Sequence, residues 1–190
     1  MKKYYSTAIV LSALVVAPVI AQDANLDESR AIAVQLMQQL AAELKKELTA
    51  NGPVAAIAVC QKVAPDIAQK LSLDKGWRVT RVSLKTRNPL LGEPDIWEQS
   101  ALQEFDIRAA AGEALDKMER SETVTEPNGR YFRYLKALPT QPLCLTCHGS
   151  LQQIPDSVKA TLKEKYPHDQ ATGYAQGQVR GAISIKRVIP

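Results

Sequence analysis

Glu122-Thr123-Val124-Thr125-Glu126, the turn Pro127-Asn128-Gly129, then Arg130-Tyr131-Phe132-Arg133-Tyr134-Leu135-Lys136-Ala137-Leu138 reads as a β-hairpin. β-branched and aromatic residues fill both arms, and Asn-Gly supplies the backbone freedom that a tight reversal needs. Alternation along the second arm puts Tyr131, Arg133 and Leu135 on one side and Phe132, Tyr134 and Lys136 on the other. The arm then runs through Pro139 and Pro142 into Cys144-Leu145-Thr146-Cys147-His148-Gly149.

Upstream the period changes. Over Leu26 to Leu48, Ile32, Leu36, Leu40, Leu44 and Leu48 recur every four residues beside Val34, Met37 and Ala41, which predicts a helix. Asn25 with Glu28 resembles a capping arrangement, and Asn51-Gly52-Pro53 is a stop. A second helix starts at Pro53 or Val54, carries Ile57, Cys60 and Ala64 on its apolar side, and is kinked or divided by Pro65 before Asp66 to Leu71. Gly76 opens a strand over Trp77 to Leu84, and Lys85 to Pro94 is a loop long enough to cover something. Asp95 caps a helix through about Ala111 with Trp97, Ala101, Leu102 and Phe105 on one face. Gly112 to Met118 gives a further short helical turn, Pro155 and Asp156 open a helix to Lys165, and Gly173 to Val188 gives one or two strands. Helices first and antiparallel strands later make the fold class α+β.

Length and composition bound the rest. The 190 residues accommodate one domain and a prefix, and 45% hydrophobic with 23% charged residues is a globular composition. Lys2 and Lys3, the apolar run Ala8 to Ile20, and Val19 and Ala21 before Gln22 form an export signal over 1–21, leaving one domain over 22–190. The run is short for a bilayer span, which needs about 20 apolar residues, and nothing later is apolar enough. Past the leader, 22 cations face 20 anions, a balance that argues against nucleic acid or an anionic membrane as partner. The expected location is the periplasm.

Three cysteines remain, Cys60, Cys144 and Cys147. In Cys144-Leu145-Thr146-Cys147-His148 each thiol can add to one vinyl group of haem while the adjacent imidazole reaches the iron from the same turn. A thioredoxin-like pair would open a helix after a strand, a zinc site would want a second close-spaced ligand pair, and a Cys144–Cys147 disulfide would be strained. One covalent haem c is the reading the motif favours. Cys60, Met37, Met118 and His168 are the open choices for a second axial ligand.

A small electron-transfer cytochrome c is nearly all helix with its motif near the N-terminus; here the motif leaves a hairpin late in the chain. The chain resembles a family of exported PAS-like c-type haem domains. The resemblance lies in Ala58-Val59-Cys60-Gln61-Lys62-Val63-Ala64-Pro65, Gly76-Trp77-Arg78-Val79, Ser83-Leu84-Lys85-Thr86-Arg87-Asn88-Pro89, Trp97-Glu98 and Phe105. It continues in Arg130-Tyr131-Phe132, Cys144 to Gly149, Ala171-Thr172-Gly173-Tyr174 and Arg180-Gly181-Ala182. It implies a PAS-like antiparallel sheet of about five strands with flanking helices and long N-terminal helices. It also implies a haem tethered at Cys144 and Cys147, with His148 and Cys60 as axial ligands.

A thiolate donor stabilises ferric iron and lowers the reduction potential. Its loss on reduction would open the iron to a small ligand, the behaviour of a redox or gas sensor. An electron-transfer cytochrome is the alternative. An enzyme is not expected, because an open distal site would have only His168 as acid or base. Lys85, Arg87 and Arg130 are candidates to neutralise the propionates. No output domain is recognisable, so any signalling or redox partner is another protein.

Overall fold

The computed structural model describes residues 17–190. Most of the export signal expected over 1–21 therefore lies outside the described residues. The first helix, α1, spans Ala17–Ala58 and is broken inside by Gly52, at φ 79° and ψ −179°. That combination is open essentially to glycine alone. The chain reverses there, because Ala68 and Leu71 join the same buried cluster as Ile32, Ala33 and Leu36.

After α1 comes a π-helical turn, Val59–Val63, in which Ala64 N–H donates to Val59 O, and then α2, Ala64–Lys75. The expected break at Pro65 thus takes the form of one widened turn just ahead of it. Proline has no N–H to donate and its ring crowds the preceding turn, so widening relieves both problems. Gly76 ends α2 in the left-handed region at φ 68°.

Four strands follow: β1 Arg78–Val82, β2 Glu119–Glu126, β3 Gly129–Pro139 and β4 Val179–Ile189. Their order is β1-β4-β3-β2, every pair antiparallel. The expectation of about five strands is met by four among the described residues. Residues 173–178 stay irregular because Gly173 and Tyr174 donate to Gly149 O and His148 O instead of to a neighbouring strand. Between β1 and β2 lie α3, Pro89–Gly92, inside the expected loop, and α4, Ile96–Ala110. Asp95 and Glu98 form a reciprocal capping box at the start of α4. The last helices are α5, Leu145–His148, and α6, Asp156–Lys165.

The sheet is covered on both faces, so β3 is buried at five consecutive positions, Tyr131 to Leu135, rather than alternately. Phe132, Tyr134, Ile183 and Ile185 face the α1–α2 hairpin. Leu135, Ala137 and Ala182 face α4 with Leu102, Phe105 and Met118. A third cluster, Ile57 with Ile154, Val158, Leu162 and Tyr166, ties α6 to the hairpin and touches Cys147. Among the described residues no helix is long and apolar enough to cross a membrane.

Candidate functional site

The leucine stripe of α1 serves two purposes along its length. Ile32 and Leu36 sit in the core, whereas Leu40, Leu44 and Leu48 line a cavity of about 600 Å³ beyond the sheet. Ala56, Ile57 and Cys60 on the returning strand of the hairpin, Val79 and Arg81 on β1, and Cys144, Cys147 and His148 complete much of its wall. All three cysteines are free and half-buried.

The C-x-x-C-H run winds from a 3₁₀ turn, Pro142–Cys144, directly into α5, which places both thiols and the imidazole on one continuous turn. Gly149 closes it. A Cβ there would lie 2.6 Å from Leu145 O, so no other residue fits without moving the turn. His148 Nδ1 lies 2.7 Å from Ala171 O, and Nε2 has no hydrogen-bond partner among the described residues. Donation from Nδ1–H to that carbonyl fixes the tautomer and leaves Nε2 with a free lone pair. Burial, reinforced by the Arg180 and Arg87 charges, pushes the His148 pKa well below its ordinary value and keeps the ring neutral. Burial raises the Cys147 thiol against the pull of Arg87.

Arg87 is the strut of this region. Its Nε pairs with Asp169 Oδ2 at 3.1 Å, and its Nη2 donates to Cys147 O at 2.5 Å and Ala171 O at 3.2 Å. One buried guanidinium thus joins the thiol-bearing turn to the loop that orients His148. Arg180 approaches from β4, donating to Ser83 Oγ at 2.8 Å and standing 3.2 Å from His148 Nδ1. Arg81 has neither hydrogen bond nor ion pair with any described residue, and burial lowers the pKa of both arginines.

The structure brings Cys60, Cys144, Cys147, His148 and Arg87 to one cavity. Lys85 stands outside that wall, bonded to Thr172 O and 4.6 Å from the centre of the Tyr174 ring. Arg130 is at the hairpin end of the sheet, donating to the carbonyl of Pro190. Of the other ligand choices, Met37 lines the cavity, Met118 is fully buried beneath α4 across the sheet, and His168 is exposed. Sequence reasoning assigned no site role to Ala171, Arg81 or Arg180, although Ala171 and Arg180 lie in runs that carry the resemblance. Arg81 carried a signal, since alternation puts it on the face of buried Val79. A carbonyl acceptor such as Ala171 O leaves no mark on residue type.

No group of three or more His, Cys, Asp or Glu side chains gathers closely enough to hold a metal ion among the described residues. The thiols and the imidazole instead line a cavity whose volume is in the range of small-molecule and cofactor sites. Comparison with curated protein sequences returns no match. Among solved structures, the crystal structure of the cyanobacterial heme-protein Tll0287 is similar, at 27% identity and TM-score 0.65 over 87% of this chain and 94% of that one. The family model for Tll0287-like proteins matches residues 20–187, and the chain belongs to the Tll0287-like family.

Proposed function

We propose that this protein holds one covalently attached haem c in the cavity and serves in the periplasm as a redox or small-ligand sensor. The observation that carries the reading is convergence: Cys144, Cys147, His148 and Cys60, drawn from segments far apart in sequence, face one apolar cavity. The similarity to the heme-protein Tll0287 supports the same ligand.

The residues present fit the group. Cys144 and Cys147 would hold the group, each by adding S–H across a vinyl double bond, the sulfur to one carbon and the hydrogen to the other, with no net redox change. His148 would offer neutral Nε2 to the iron, and Ala171 O holds its ring in place. Cys60, on the same cavity wall, would offer its sulfur as a second iron ligand. Leu40, Leu44 and Leu48 exclude water from that side. When bound, haem supplies a one-electron iron couple and an iron centre for a small ligand. Cys60 stands on the π-helical turn, a conformation often found at functional sites, which lets it move without unravelling α1 or α2. A partner protein would read that movement.

Optical spectra of the protein matured with haem test the reading. It predicts a haem that resists acid–acetone extraction, and a reduced spectrum that shifts under carbon monoxide. Extractable haem would overturn covalent attachment. A ferrous spectrum indifferent to the gas would show that Cys60 holds, and the electron carrier would replace the sensor.

A further inference from the structure

We propose that Arg81 and Arg180 form a carboxylate clamp that takes the two propionates of the haem. The inference rests on the haem reading above and assigns the polar end of that ligand.

Three arginines line the cavity and no Asp, Glu or Lys does. Arg87 is neutralised from behind by Asp169. Arg180 has only uncharged partners, Ser83 Oγ, Lys85 O and the face of Tyr174, and its Nε faces the protonated Nδ1 of His148 at 3.2 Å without an acceptor there. Arg81 has no partner among the described residues. Guanidinium groups half-withdrawn from water without a counter-anion are costly, and a cavity that keeps two of them is built for a ligand bringing two anions.

The placement is set by the sheet. Arg81 pairs with Ile183 in the β1–β4 register, and Arg180 lies on β4 just beyond the Val82–Ala182 pair that ends it. Both cations therefore enter from adjacent strands, on the sheet side of the cavity, while Leu40, Leu44 and Leu48 close the helical side. One wall is apolar and the other cationic. The ligand it fits is an amphipathic plate with paired carboxylates at one edge. The charges also balance: iron(III), the porphyrin dianion and a Cys60 thiolate cancel, leaving the propionates as the group's net charge against two unpaired guanidiniums. Arginine matches carboxylate with a planar fork that lysine lacks.

The test uses holoprotein carrying haem labelled with carbon-13 in its propionate carboxylates. Infrared difference spectra and reduction potentials are recorded for wild type, Arg81→Gln, Arg180→Gln, the matching lysine variants and an exposed control, Lys163→Gln. Loss of a paired cation favours the oxidised form at least tenfold, a fall of about 59 mV for a one-electron couple. The labelled carboxylate stretch shifts in each glutamine variant, partly returns with lysine and is unmoved in the control. Unchanged carboxylate bands in both glutamine variants, with haem still attached, would overturn the clamp and leave the haem reading standing. Wild-type protein that takes up no haem would overturn the haem reading itself. Where a glutamine variant fails to fold, the lysine variants carry the infrared test.

Discussion

Replacing Arg87 by Met removes the pairing of Asp169 and the donor to both Cys147 O and Ala171 O in one step. Arg87 is 9% and Asp169 11% exposed, so the stranded carboxylate stays largely out of water. Breaking such a pair from one side costs about 3–5 kcal/mol, and taking ~4 kcal/mol at ~3 °C each gives a melting temperature lower by about 12 °C. Asp169→Asn leaves the opposite charge behind and should cost a similar amount. The double variant leaves no charge unpaired, so it should recover at least ~2 kcal/mol relative to the sum of the singles. Urea denaturation of the haem-loaded protein measures all three, and the Soret band reports whether His148 stays on the iron. In Arg87→Met the loop bearing Ala171 loses its tie to the C-x-x-C-H turn, so a high-spin fraction should appear before the protein unfolds. Single variants costing less than about 1 kcal/mol, with a simply additive double, would refute the strut.

Gly149→Ala places a Cβ against Leu145 O and should cost about 1–3 kcal/mol while lowering the yield of covalent haem, read from pyridine haemochrome spectra. Gly52→Ala and Gly52→Asn should both cost about 1–3 kcal/mol by thermal melting, because ψ near 180° there suits glycine alone; Gly76→Asn, in the ordinary left-handed region, should cost far less. Partial burial opposes ionisation of Asp95, but hydrogen bonds from Arg133 and the Glu98 N–H outweigh it and hold the carboxyl below its usual range. A carboxylate depressed in the folded state adds stability above its unfolded pKa of about 3.9 and loses it as pH falls through the folded value. Asp95→Asn should therefore cost up to about 1 kcal/mol near pH ~7, after allowing for solvent screening of a carboxylate 39% exposed, and progressively less as pH falls through the folded value, measured by urea denaturation.

Most of the fold was legible because local patterns and tertiary demands agree. The α1 stripe, the Asp95 cap, the hairpin and the helix from Asp156 to Lys165 all announce themselves in periodicity or turn chemistry. The start of β2 did not. Glu119 and Arg120 look like loop residues, yet they pair with Lys136 and Leu135, and Glu119 accepts hydrogen bonds from Arg30 and the Tyr134 hydroxyl. Their strand character comes from distant partners. The candidate site divides the same way. Cysteine spacing marks the proposed tether, whereas the task of each arginine depends on its neighbours in space. Asp169, far along the chain, occupies Arg87, and only the fold shows that Arg81 is left without such a partner.

The strand order has a further consequence in time. β4 follows the other three strands in chain order and lies between β1 and β3, so β1 has no sheet partner until Lys186 can meet Arg78. Contacts so far apart in sequence form late, since the intervening chain must first be gathered. Until β4 docks, the wall containing Arg180 and Gly181 does not exist and the C-x-x-C-H turn stands at an open edge. The eleven residues of β4 thus act as a closing latch, and under the proposed function a haem would have its opening to the cysteines before they engage.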